Sequence, residues 1–579
     1  MECYFVSPDD ADPSDHDDDS GLGVATLPLG LLARHGARVL NPSAVPVANG
    51  WPTPKTTVYR TRTLLVPPRL QQDQPLGSIN DLLATRVGMR LVPLRPDYRA
   101  IGPGPIPAVT PVTMVLVSEP RPGQIPLPVD AWTALTALRD AVGRDELPDV
   151  SRADVQEISL EHLMRGGTLT GSPEIHGSPE IHGSPEIHGS AASAGYFSAT
   201  GDSRIPVQVY LDAPYRPSNT ECEDGYGRRP VVAVLDTGVR AHPWLGVVRE
   251  EAQGTPPYTT VPDASVHVDL EMQHVIYDTG YAAQQAGDQP RELIAGPWDG
   301  PVTSDPLVGE VNDALGHGTA IAGIFRQAVP AATVLSVRIM HSDDIVYEGD
   351  LVTALHLVSG QVALAQDDAQ PRPDLMVDAV SLSCGYFCES AQDVTFTSVL
   401  KGAIDGLLAQ GVMVVAAAGN SSVRRRYYPA AFADPPSPDG ALPVISVGAL
   451  NPNCSRAAFS DDGRWVTAWA SGAMVITTFP TDVNGALQPA AEEHANGHHH
   501  WTREGLDPDD FRSGFVCWSG TSFAAPALAA WLTQAMVAAA VADDGLRLSG
   551  PTAADAMARA THAITRRQQE TITRRPQES

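Results

Sequence analysis

The chain has 579 residues, a formal net charge of −29 and 43% hydrophobic residues. That length exceeds one ordinary domain, whose core stops growing beyond about 250–300 residues, and predicts two domains with a linker. The acidic balance argues against nucleic acid and anionic membrane as partners and for a soluble particle, although an acidic proteome would give the same charge.

Residues 1–22 form an acidic head predicted to be disordered. Its sequence, MECYFVSPDDADPSDHDDDSG, has acids where a basic leader would stand and lacks an apolar core, which predicts a cytoplasmic protein. Residues 23–168 read as a small α+β domain. TTVYRTRTLLV and MVLVSEP have the pattern of strands; SINDLLATRV, DAWTALTALRDAV and SRADVQEISLEHLM have that of helices, the last capped by Ser151. Residues 169–203 contain GSPEIH three times, from Gly171 to His188. Glycine, serine and proline in every copy exclude a regular helix, so this is a flexible or partly extended linker open to proteolytic nicking. His176, His182 and His188 repeat in a chain that does not preorganise them for a metal.

Residues 204–565 read as the larger domain. VVAVLDTG, ATVLSVRIM, MVDAVSLSCG, GVMVVAAAGN and LPVISVGAL are apolar runs ending in turn residues, separated by helical segments such as DLVTALHLVSGQVALAQ and FTSVLKGAIDGLLAQ. That alternation predicts a parallel sheet covered by helices on both faces, with Asp236, Asn420 and the loop after Val380 at one edge. Phe523 to Ala542 is uncharged and long enough to span a bilayer, but Pro526, Thr533 and Gln534 favour a buried core helix. GPTAADAMARATHAI is one more helix, and 566–579 a loose polar tail.

Ser522, in CWSGTSFAAPALAA, sits where small neighbours precede an alanine-rich helix, a seat that lets a substrate backbone approach. A serine hydroxyl is nearly inert at neutral pH, so a nucleophile needs a histidine to take its proton and a carboxylate to hold that histidine. His317 in GHGTAIAG and Asp236 at the end of VVAVLDTG are the candidates. Each is bland alone, an aspartate capping a turn or a histidine between structural glycines. Together, DTGV, HGTAIAG and GTSFAAP in the order Asp, His, Ser closely resemble the signatures of the subtilisin-like serine peptidases. VMVVAAAGN, ending in Asn420, resembles the segment whose asparagine completes that family's oxyanion hole.

The resemblance implies a subtilisin-like three-layer α/β domain with a mostly parallel sheet, preceded by the small α+β domain. It implies that Ser522 attacks, His317 moves the proton, Asp236 orients the imidazole, and Asn420 with the Ser522 amide binds the oxyanion. Ser383, Cys384 and Gly385 look like the edge strand that pairs with substrate, with Cys384 where a larger aliphatic residue is more usual. The N-terminal domain stands where the family carries an inhibitory, chaperoning propeptide; recruitment or sensing fits equally.

The interval from Asp236 to His317 is long, and an insertion near 481–515 carries His494 and His498 to His500 beside Trp501, a metal-binding composition that is more commonly a solvated loop. Ala470, Ser471 and Gly472 lack the family's usual proline before the glycine. The six cysteines are too scattered for a disulfide framework, and Cys384 and Cys388 lack a second pair for zinc. The sequence therefore predicts no metal, no calcium site and no cofactor. It predicts a serine endopeptidase acting on protein or peptide substrates, with intramolecular inhibition by the N-terminal domain. Two rivals stand beside it. An acid peptidase with the same serine motif uses Glu where this chain has His317, and a catalytically silent binding protein on a peptidase scaffold usually loses a triad member.

Overall fold

The computed structural model describes residues 3–6, 27–96, 109–166, 204–250, 258–305, 309–390, 398–434, 437–438, 440–485, 490–495, 499–504 and 509–574. Its central sheet has eight strands in the spatial order Cys3–Phe5, Ala468–Ser471, Val444–Leu450, Met413–Ala417, Ala379–Leu382, Val231–Asp236, Thr333–Arg338 and Val266–Val268. Seven run parallel, and Cys3–Phe5 closes one edge antiparallel. Met413–Ala417 and Val444–Leu450 are buried at every position. Burial on both faces is why these strands read as unbroken apolar runs rather than alternating ones. Helices His317–Ala328 and Thr521–Ala542 pack on one another, as do Glu348–Ala365 and Ser398–Ala409. These two pairs cover the sheet. Thr521–Ala542 is buried without a break from Thr521 to Thr533, so its apolar length serves the core.

A second, antiparallel sheet runs Tyr427–Tyr428, Cys384–Phe387, Ser159–Gly166, Thr57–Leu65, Thr113–Ser118, Met89–Pro93, with Ile345–Tyr347 beside Ser159–Gly166 and Ala37–Leu40 beside Thr57–Leu65. It joins the two halves of the chain through backbone hydrogen bonds. The contact is ionic as well as apolar. Arg60 reaches Asp288 at 2.8 Å, and Arg291 pairs with Asp288 and Asp350, all buried.

Three expectations change. Ser159–Gly166, expected as the second half of a helix, is a strand; the helix capped by Ser151 lasts only Arg152–Gln156. Seven of the eight residues of that strand are buried, so its side chains face partners on both sides, which a helix on the surface of the domain would not provide. Residues 3–6 do not belong to a disordered head, because Cys3–Phe5 pairs with Ala468–Ala470 and Phe5 stacks on Trp531. The tail expected to be loose from Arg566 is helix to Arg574, continuing from Ala553. The GSPEIH repeats and residues 7–22 lie outside the described residues.

Candidate active site

Asp236 ends its strand with 1% of its surface exposed, and its Oδ1 accepts the Thr237 amide at 2.8 Å. His317 opens its helix just after Gly316, whose φ of 79° lies where a side chain is strained; a Cβ there would meet the Phe479 ring at 2.4 Å. One residue on, a Cβ at Gly318 would strike the Gly238 carbonyl at 2.1 Å. These glycines bring the helix start onto the DTG turn. His317 Nδ1 then donates to Asp236, 2.8 Å from Oδ1 and 3.0 Å from Oδ2. Burial disfavours the imidazolium, but the charge and hydrogen bond of Asp236 outweigh it, and His317 is held above its ordinary pKa. Its Nε2 has no hydrogen-bond partner among the described residues, which leaves that nitrogen to receive a proton. Trp518 and Phe523 flank the ring at centroid distances of 5.5 and 5.3 Å.

Ser522 lies in the first turn of Thr521–Ala542, fully buried like His317. Pro526, four residues on, has no N–H to give the Ser522 carbonyl. The Ser383 hydroxyl supplies that donor at 3.1 Å, which ties the start of the expected substrate-pairing strand to the serine turn. Asn420 is fixed by its oxygen: Oδ1 accepts the Thr521 amide and hydroxyl, both at 2.9 Å, which leaves Nδ2 as the donor end. Asp236, His317, Asn420 and Ser522 therefore converge on the carboxyl edge of the parallel sheet.

Cys384 and Gly385 form an edge strand, but the edge is taken: Cys384 pairs with Gly166 and Gly385 with Arg165. The Gly166 amide also donates to the Asp344 carbonyl at 3.0 Å, and the Tyr427 hydroxyl to the Arg165 carbonyl at 3.1 Å. Cys384 is buried and not in a disulfide, and burial pushes its thiol up, so it contributes packing rather than a nucleophile. The insertion forms a hairpin, Ala490–Ala495 with His499–Glu504, whose backbone register puts His494 opposite His500.

Two aspartates were not legible as site residues. Asp299 Oδ2 accepts the Gly316 amide at 2.7 Å and the Thr237 hydroxyl at 3.2 Å, tying both sides of the Asp236–His317 pair together. Burial raises it to about 6. Asp461 lies under Asn420: Oδ1 accepts the Ser421 and Val423 amides at 2.9 and 3.0 Å, and burial raises it to about 8. The sequence offered only weak signals, an acid between glycines in GPWDG and a doubled acid in SDDG. Between the ordinary 3.8 and about 8, the folded Asp461 carboxyl stays protonated while the unfolded one ionises, so stability falls as pH rises through that window. Asp461→Asn, uncharged throughout, is expected to remove that part of the slope. Melting temperatures from pH 5 to 9 check it: the gap between variant and wild type should move in the variant's favour as pH rises.

The subtilase family model matches residues 227–561. Subtilisin-like protease 3 of Pseudogymnoascus destructans is 29% identical over 171 residues, 29% of this chain and 37% of that protein. Subtilisin DY of Bacillus licheniformis is 29% identical over 182 residues, 30% of this chain and 58% of that protein. The chain thus spans between about a third and three-fifths of these curated relatives. A crystal structure of a cold adapted subtilisin-like serine proteinase aligns at 17% identity over 61% of this chain and 87% of that one, with a TM-score of 0.30.

Proposed function

The chain belongs to the subtilase family, and from that membership we propose that it is a serine endopeptidase with Ser522 as nucleophile, partly restrained by its own N-terminal segment. The observation that carries the reading is the buried hydrogen bond from His317 to Asp236, with Nε2 unpartnered beside the helix that begins at Thr521.

Ser522 Oγ attacks the scissile carbonyl and gives its proton to His317 Nε2. The imidazolium, stabilised by Asp236, returns that proton to the leaving amine, and water then repeats the sequence on the acyl-enzyme. Charge on the carbonyl oxygen is met by Asn420 Nδ2 and the Ser522 amide. Asn420→Ala is expected to lower kcat by on the order of a hundred- to a thousandfold with little change in KM, because the donor acts on charge that develops only in the transition state. Steady-state hydrolysis of a chromogenic peptide checks this, and an unchanged kcat removes Asn420 from the mechanism.

Substrate recognition by an added strand requires a free edge at Cys384 and Gly385. In the full chain Ser159–Gly166 occupies that edge, which supports restraint from within rather than recruitment. The full burial of Ser522 and His317 agrees with it.

A further inference from the structure

Where Ser159–Gly166 crosses the segment that follows Cys384–Phe387, His162 is wholly buried between two carboxylates. Its Nδ1 lies 2.6 Å from Glu348 Oε2, its Nε2 2.8 Å from Glu389 Oε2, and Tyr386 stacks on the ring at 4.1 Å. Glu348 is itself held by the Tyr386 hydroxyl at 3.0 Å. The Cys388 sulfur is 3.4 Å from Glu389 Oε2, and the donor atoms of His162, Cys388 and Glu389 all lie within 4.8 Å of one another. The second Glu389 oxygen, Oε1, is buried with no hydrogen-bond partner. None of this belongs to the hydrolytic site, and a buried carboxylate oxygen without a donor is costly.

We propose that His162 Nε2, Cys388 Sγ and the Glu389 carboxylate bind a borderline-soft divalent cation of the zinc class, stapling the N-terminal strand to the peptidase half. Zinc bonds of about 2.0–2.3 Å in tetrahedral geometry place donors roughly 3.3–3.7 Å apart, so the 2.8 and 3.4 Å separations need to open by only about half an ångström. Glu389 Oε1 gains a partner if the carboxylate binds through both oxygens. Glu348 on Nδ1 is the carboxylate that fixes the tautomer and orientation of a ligating histidine. The charge balances: the cation enters as the thiol proton and the Nε2 proton leave, and the buried Arg139 guanidinium beside Glu389 faces Glu348 in the sum. A thiolate and an imidazole select zinc over calcium or magnesium, which prefer oxygen.

The test uses the full chain carrying Ser522→Ala, stripped with a chelator and titrated with cobalt(II) and then zinc(II). Histidines of the 490–504 hairpin and the GSPEIH repeats offer no sulfur and so give no sulfur-to-cobalt charge-transfer band, and Cys388→Ser tells the band of this site from one at the exposed Cys454. One cobalt per chain is expected to give that band, one zinc to displace it, Cys388→Ser to abolish it with the circular dichroism unchanged, and Glu348→Gln to weaken zinc about 10- to 100-fold. Absence of the band in the folded parent protein overturns the proposal, and so does a band that survives Cys388→Ser.

Discussion

Ser522→Ala is expected to lower kcat for peptide hydrolysis by about a millionfold, and His317→Ala by nearly as much, magnitudes carried over from subtilisin itself rather than derived from this chain. Neither group acts alone: without the imidazole the hydroxyl keeps its proton, and without the hydroxyl the imidazole has nothing to activate. The double variant should therefore be no slower than either single one. Asp236→Asn should cost less, about ten-thousandfold, because it disturbs the tautomer and the stabilisation of the imidazolium while leaving nucleophile and base present. The wild-type profile should carry an acid limb, since the base works only when neutral. With Asp236 holding His317 above its ordinary pKa of 6.5, kcat/KM should rise with pH through a midpoint above that value. Equal activity of Ser522→Ala and wild type, with contaminating peptidase excluded by titration, would end the endopeptidase reading.

The second large effect concerns Gly166. A Cβ at this position would lie 2.3 Å from Asp344 Oδ1 and 2.9 Å from Met340 Sδ, so the larger Gly166→Val side chain must push these two side chains aside and is expected to loosen the end of its strand on Cys384 and Gly385. The strand end is held there by a few backbone hydrogen bonds, each contributing about 1 kcal/mol net. Losing one or two of them should raise the population of the open edge, and with it kcat/KM of the full chain, by roughly five- to thirtyfold. The rest of the interface, including the buried Arg60–Asp288 pair, stays in place, so the variant separates occlusion from unfolding in a way that deleting residues 1–203 would not. A folded Gly166→Val protein no faster than wild type would show that the strand does not restrain the site.

The parallel sheet and the convergence of Asp236, His317, Asn420 and Ser522 were legible because the strands are buried on both faces and each functional residue lies at or just beside the end of an element. Apolar runs and their terminating glycines are local signals. The strand Ser159–Gly166 was not legible. SLEHLM has apolar residues at helical spacing, and its Glu161 and His162 look solvated in sequence, yet both are wholly buried because partners arrive from far along the chain, the Gly349 amide for Glu161 and the Glu348 and Glu389 carboxylates for His162. Cys3–Phe5 failed for the same reason: three residues beside an acidic stretch gain their order from Ala468–Ala470, Trp531 and Thr571, more than four hundred residues away. Asp299 and Asp461 stayed hidden because their partners are backbone amides, which leave no trace in composition. The bond from the Ser383 hydroxyl to the Ser522 carbonyl was not legible either, since it answers Pro526 withholding a donor 143 residues along the chain from Ser383.

The most direct measurement is labelling by a fluorophosphonate probe, followed by intact mass and peptide mapping, of wild type, Ser522→Ala, His317→Ala and Gly166→Val. One adduct per chain is expected on the peptide containing Ser522, none in either alanine variant, and faster labelling of Gly166→Val than of wild type. Folded wild-type and Gly166→Val proteins that both remain unlabelled would contradict the endopeptidase reading and favour a peptidase scaffold used for binding.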